Sequence, residues 1–202
     1  MSYQALKERH RAERGAWHPN LSLRVHRALS WLDRAEQLGL QNDADGQFIL
    51  LWIAFNAAYA TEIAEKDRES EQQTLRGVPD KLTQLDAGRK RFDALAWTEF
   101  PKSIRVLLDN PYVFADFWRV QNGTLPEPAW KASFASANKA AHVALGRQDT
   151  VTVLSIVLSR IYTLRNQLIH GGATWNGSVN REQLRDCVNL MGKLLPLVIE
   201  VM

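Results

Sequence analysis

Apolar residues recur along this chain at three- and four-residue intervals, and the strict alternation of a β-strand is nearly absent. The fold expected is therefore all-α. After Pro19, Ser22 is placed to cap a first helix running to about Leu38, with Val25, Leu29, Leu32 and Ala35 turned inward. A turn containing Asn42, Asp43 and Asp45 follows. The next helix, from about Gly46 to Lys66, is apolar nearly all round over Phe48, Ile49, Leu50, Leu51, Trp52, Ile53 and Phe55, and so belongs at the centre of a bundle. Asn56, alone in that run, reads as a buried hydrogen-bonding residue.

Charge interrupts the pattern at Glu65 to Gln73. From there to about Pro128 the chain reads as shorter helices broken at Pro79, Pro101, Asn110-Pro111 and Asn122-Gly123. Ala-rich Lys131 to Leu145 is expected as a third core helix. A long helix then starts at Asp149-Thr150, either of which can cap it. A last one starts near Asn180, with Gln183 completing a capping box and Leu184, Val188, Met191, Leu195 and Val198 on one face. Pro196 is expected to bend its end. Together these predict an antiparallel four-helix-type bundle. Residues 1–202 form a single domain, with a helical insertion at about 67–130 between the second and third core helices.

The helix after Asp149 carries the candidate chemistry. Leu154, Val157, Leu158, Ile161, Leu164 and Leu168 fall within about 120° of one another and face a core. Ser155, Ser159, Thr163, Asn166 and His170 form a second stripe, polar and mostly small, along one flank. Arg165 projects from within the apolar stripe, where a guanidinium needs a carboxylate or phosphate partner. Gly171-Gly172 should stop the helix and leave His170 in its last turn. An arginine can grip a phosphate at two points, and a histidine can move protons near neutral pH.

The run Arg165-Asn166-Gln167-Leu168-Ile169-His170 resembles the R-N-x3-H signature of HEPN domains, helical proteins many of which cut RNA without a metal. Trp52-Ile53-Ala54-Phe55-Asn56-Ala57-Ala58-Tyr59 also resembles a core helix of several bacterial HEPN families. The resemblance implies a metal-independent endoribonuclease that uses the RNA's own 2′-hydroxyl and leaves a 2′,3′-cyclic phosphate and a 5′-hydroxyl. His170 would transfer protons, Arg165 would stabilise charge on the phosphate, and Asn166 would orient one of them. It further implies a homodimer meeting through the signature helix around a shared cleft, acting as a toxin or phage-defence effector with an antitoxin or defence protein as partner. Around a single straight helix Arg165 and His170 stand about 140° apart, which two copies at a two-fold axis would reconcile. The alternative is a non-catalytic helical module that binds RNA or a protein through the same groove. The chain departs from one HEPN subgroup at Gly172, where that subgroup carries a tyrosine modified by a nucleotidyltransferase partner.

Charge adds a smaller signal. The formal net charge is +3, and the first 34 residues hold Lys7, Arg9, Arg11, Arg14, Arg24, Arg27 and Arg34 against Glu8, Glu13 and Asp33. Residues 1–20 thus read as a basic arm, suited to phosphate contacts or simply to solvent. No apolar stretch follows the first basic residues as in a signal peptide, and the run from Phe48 to Ala60 is too short to span a bilayer. A soluble, cytoplasmic protein with no membrane contact is the expectation. The single Cys187 excludes an internal disulfide and a cysteine-based metal site. His10, His18 and His26 are not at metal-ligand spacing, and no metal or cofactor is expected. His142 reads as a packing or capping residue. Trp31, Trp52 and Trp97 read as core, whereas Trp118, Trp130 and Trp175 lie near loops where a base can stack, although interface packing is the commoner use.

Overall fold

Two long helices, α2 (Pro19–Leu40) and α3 (Ala44–Tyr59), pack along each other as a hairpin and form the most extensive helix pair in the molecule. The turn between them is only three residues long, with Asn42 left-handed at φ 59° and the Asp43 carboxylate accepting the Gly46 amide at 2.9 Å. Gly46 is required here: a Cβ would stand 2.6 Å from the Asp43 carboxylate and 2.8 Å from the Leu38 side chain. This computed structural model describes residues 2–59, 71–178 and 181–202. The expected continuation of α3 through 60–66, and the Asn180 cap of the last helix, lie outside the described residues.

Among the described residues the chain is helical, with no strand. The order is α1 (Tyr3–Glu13), α2, α3, α4 (Glu71–Leu85), α5 (Arg91–Ala94) running into a π-turn (Leu95–Glu99), α6 (Pro101–Asp109), a 3-10 turn (Pro111–Val113), α7 (Ala115–Gln121), α8 (Glu127–Gly146), α9 (Thr150–Ile169) and α10 (Arg181–Val201). The apolar α3 is central as expected, packing on α2, α9 and α10 and burying Phe48, Leu51, Trp52 and Phe55 completely or nearly so. The inward faces read from periodicity in α2, α9 and α10 are buried, apart from Leu168, which is half-buried. No helix among the described residues is long and apolar enough to cross a membrane.

Several local expectations need correction. Ser22 does not cap α2; the His18 ring does, accepting the Asn20 amide at 3.3 Å, and Ser22 sits one turn inside. Residues 3–13 form a helix capped by Ser2, which buries Leu6 and His10 against α2. His10 Nε2 lies 3.2 Å from both the carbonyl and the hydroxyl of Ser22, and its ring stacks on His26. Burial is the main influence on that imidazole and pulls its pKa below the usual value, ahead of the Ser22 contact that opposes it. Trp31 is 40% exposed instead of core. Trp97 is half-buried and donates to Thr150 at 2.8 Å, pinning the π-turn to the start of α9.

Pro79 does not break its helix, since α4 runs through it. A mid-helix proline costs about 3 kcal/mol. Leu75, Val78 and Leu82 repay this on the buried side, at about 1.5–3 kcal/mol for each full burial. The helix lying most extensively along α9 is this α4, and α8 buries only Ala141, Ala144 and Leu145. Alanine favours helix but covers little apolar area, so the Ala-rich segment is helical without being central. The stretch expected as an insertion contributes Leu75, Leu82, Phe92, Ile104 and Leu108 to the same buried cluster as α2, α3, α9 and α10. His142 is exposed and bridges α8 to α6 through Asp109 at 2.9 Å, so it neither packs nor caps. α10 continues past Pro196 to Val201.

Candidate functional site

Helix α9 is fixed at both ends by its own sequence. At the start, the Asp149 carboxylate accepts the Thr152 amide at 3.0 Å and the Thr152 hydroxyl at 2.7 Å. At the end, His170 is the C-cap and its amide still donates to Asn166. Gly171 turns left-handed at φ 72°, and the Gly172 amide donates back to the Gln167 carbonyl at 2.7 Å. This is a Schellman closure, and it leaves the His170 side chain exposed at the helix tip. Gly171→Ala should cost about 1–2 kcal/mol in urea melts from the left-handed backbone alone. Nothing lies within 4 Å of the added Cβ, so a loss near zero would show that the turn relaxes to another conformation.

The polar flank read from the sequence becomes the floor of two adjoining clefts. The one at the tip, about 550 Å³, is lined by Asn166 and His170 on α9 and by Trp118 and Arg119 on α7. Tyr162 and Thr163 continue its floor. The other, about 560 Å³, runs along Ser155, Ser159, Arg160 and Thr163 toward the start of α7 and α4. Ala115 and Thr163 line both.

Helix α7 is held over α9 by hydrogen bonds converging on one carbonyl. Gln167 Nε2 and Trp118 Nε1 both donate to the Tyr112 carbonyl, at 2.7 and 2.6 Å. Aromatic edges lock α7 to α8, with Phe117 against Trp130 at 5.2 Å and Phe114 against Phe134 at 5.3 Å between centroids. Of the tryptophans expected near loops, Trp118 thus faces the signature residues. Trp130 packs between helices, and Trp175 is 74% exposed just beyond the helix tip.

Arg165, Asn166 and His170 are brought together only in part. Asn166 and His170 share a cleft wall, whereas Arg165 is not part of that lining. It is half-buried, lies 5.8 Å from the Tyr162 ring centroid, and its Nη1 donates to Asn166 Oδ1 at 2.9 Å. The Asn166 side-chain oxygen thus accepts from its neighbour Arg165. The small flank of Ser155, Ser159 and Thr163 is a cleft floor walled by α7 and α8, so a second α9 has no open helix face to meet there. The exposed apolar residues near the tip are Ile169 and Trp175.

The loop after the signature is tied down from a distance. Asp45, buried in the first turn of α3, accepts Arg181 Nη1 at 2.7 Å and the Asn176 amide at 3.2 Å. Periodicity gave no hint of this contact, which joins residues more than a hundred positions apart.

One group went unnoticed in the sequence. Arg160 is only 4% exposed, its guanidinium carbon lies 4.5 Å from the Phe114 centroid and 5.6 Å from that of Phe134, and its Nε and Nη2 have no hydrogen-bond acceptor among the described residues. Burial pulls its pKa down to about 10, which still leaves it charged at neutral pH. The signal was weak: at 100° per residue Arg160 falls about 40° beyond Leu164, between the apolar stripe and the Thr163 edge of the polar flank. Cys187 is buried on α10 away from these clefts, and burial raises its thiol pKa. Among the described residues, no group of three or more His, Cys, Asp or Glu side chains is arranged to hold a metal. No protein-family model, curated protein or solved structure matches the chain.

Proposed function

We propose that this protein is an endoribonuclease of the HEPN type, cutting RNA at the cleft on the tip of α9. The observation that carries the reading is the shared wall of Asn166 and His170 facing Trp118 and Arg119. An exposed imidazole, an aromatic ring for a base and a cation for a phosphate are what a single-stranded RNA substrate needs. The Arg165 guanidinium stands beside this wall, bonded to Asn166.

The reaction follows from these groups. His170 takes the proton of the RNA 2′-hydroxyl, and that oxygen attacks the adjacent phosphorus. The new P–O2′ bond forms as the P–O5′ bond breaks, giving a 2′,3′-cyclic phosphate. The departing 5′-oxygen receives a proton from the second copy's imidazole in a homodimer, leaving a 5′-hydroxyl. Arg165 stabilises the negative charge that builds on the phosphate oxygens. The two-fold contact is placed at the exposed helix tip, near Ile169 and Trp175, because the small-residue flank is walled off. A toxin or phage-defence role in the cytoplasm, restrained by a partner protein, follows from the same resemblance.

The test is incubation of the purified protein with total RNA in excess EDTA. Fragmentation that persists under chelation is the expected result. Intact RNA with retained binding would instead favour a non-catalytic module using the same groove.

A further inference from the structure

A buried arginine with no acceptor is costly to keep, because burying an isolated charge is opposed by several kcal/mol of desolvation. Arg160 meets that description on the described residues. Its two unsatisfied nitrogens, Nε and Nη2, form one edge of the guanidinium, the edge that grips a phosphate at two points. The carboxylate in the same cleft, Asp116, is already engaged by Arg119 at 3.1 Å and by the Ser133 hydroxyl at 2.8 Å. Arg76 stands exposed at the rim. The cleft is large enough for part of a nucleotide and opens at Ala115 and Thr163 into the cleft of Asn166 and His170.

We infer that the Arg160 cleft is a second phosphate subsite, holding a non-scissile phosphate of the same single-stranded RNA whose neighbouring linkage lies at His170. This rests on the RNA reading of the α9 tip and adds a substrate class to it. Arg160 lies about 9 Å along the helix axis from Asn166, at 1.5 Å per residue, so one strand can occupy both clefts while lying along α9. The phosphate reaches the Nε/Nη2 edge as the Phe114 ring swings aside. That ring sits on an extended residue between the 3-10 turn and α7, and its displacement gives up the edge contact with Phe134. A duplex could not follow this path, because its bases are paired and its phosphates stand on a rigid outer surface.

The experiment measures binding of an RNA of about ten nucleotides, 2′-O-methylated throughout so that it cannot be cut, across a range of salt concentrations. Wild type, Arg160→Met and His170→Ala are compared. Arg160→Met should bind roughly tenfold or more weakly, and the slope of log affinity against log salt should fall by about 0.7, the signature of one lost phosphate contact to a single strand. His170→Ala should keep the wild-type slope. Arg160→Met should also melt no lower than wild type, because it removes a buried charge and leaves an apolar side chain between two rings. A clear drop in melting temperature would make Arg160 a structural residue and overturn the subsite. Should that variant fail to fold, Arg160→Lys takes its place: it keeps the charge and the slope but should lose affinity with the planar grip, and unchanged affinity would overturn the inference.

The outcomes separate the two claims. Wild type that cuts RNA while Arg160→Met keeps full affinity and slope removes the subsite and leaves the nuclease. Wild type that binds the oligonucleotide through Arg160 but never cuts RNA removes the nuclease and leaves the subsite. A mononucleotide that binds wild type more tightly than the oligonucleotide and loses binding in Arg160→Met would assign the cleft to a small ligand and overturn the strand.

Discussion

Replacing His170 by alanine is expected to slow RNA cleavage by roughly 10²–10⁴-fold, the range that general acid–base catalysis supplies. The fold should be unaffected, because the side chain is exposed at the C-cap and the Schellman turn is made by backbone groups and Gly171. Arg165→Ala should lose cleavage as well, and Arg165→Lys should not restore it, since an ammonium lacks the planar two-point grip on a phosphate. Circular dichroism melts on the same preparations separate loss of chemistry from loss of structure. Mixing the two inactive variants adds a test of the shared cleft. Each mixed dimer keeps only one of the two imidazoles that the proton transfers use, so no activity should return on mixing. Recovery of about a quarter of wild-type activity would instead show that one imidazole, served by Arg165 of the other copy, is enough.

The largest stability effect is expected at Asp45. It is 5% exposed, accepts the Arg181 guanidinium and the Asn176 amide, and sits in the first turn of α3, where its charge also favours the helix dipole. Asp45→Ala leaves a largely buried arginine without its carboxylate and a backbone amide without an acceptor. The full cost of breaking a buried pair is about 3–5 kcal/mol. Arg181 keeps some solvent and its bond to the Gly177 carbonyl, so a loss on the order of 3 kcal/mol is expected, roughly 6–12 °C in melting temperature for a chain of this size. Because the same contact holds the loop that follows His170, cleavage should fall at temperatures well below the melt. A variant as stable as wild type would mean that the loop is positioned by something else.

What the sequence made legible follows from where hydrophobic periodicity is strong. The inward faces of α2, α9 and α10 each repeat an apolar residue every third or fourth position, and all of these but the half-buried Leu168 are buried. The end of α9 was legible because only a glycine takes the left-handed turn of Gly171 without strain. The polar flank from Ser155 to His170 was legible too, since small polar residues at helical spacing need water or a cavity beside them, and they line clefts.

The misses have equally local causes. Helix α1 escaped notice because Leu6 and His10 are its only buried residues among charged neighbours, too few to make a stripe. Pro79 suggests a break because local propensity ignores what Leu75 and Leu82 gain by burial in the core. The Ala-rich α8 reads as core only from helix propensity, which says nothing of burial. Residue type alone points Trp31 to the core, although it lies off the Val25, Leu29 and Leu32 face and is exposed. The partners Trp118 and Arg119 reach the signature only because α7 packs on α8 and on the 3-10 turn that lies against α9, which no spacing along the chain encodes.

The most direct test is end-group analysis of RNA cut in excess EDTA by wild-type protein and by His170→Ala purified in parallel. Wild type should release fragments ending in a 2′,3′-cyclic phosphate and beginning with a 5′-hydroxyl, and His170→Ala should release almost none. Equal cleavage by the two proteins, or fragments bearing 5′-phosphates, would contradict the assignment of RNA cutting to the tip of α9.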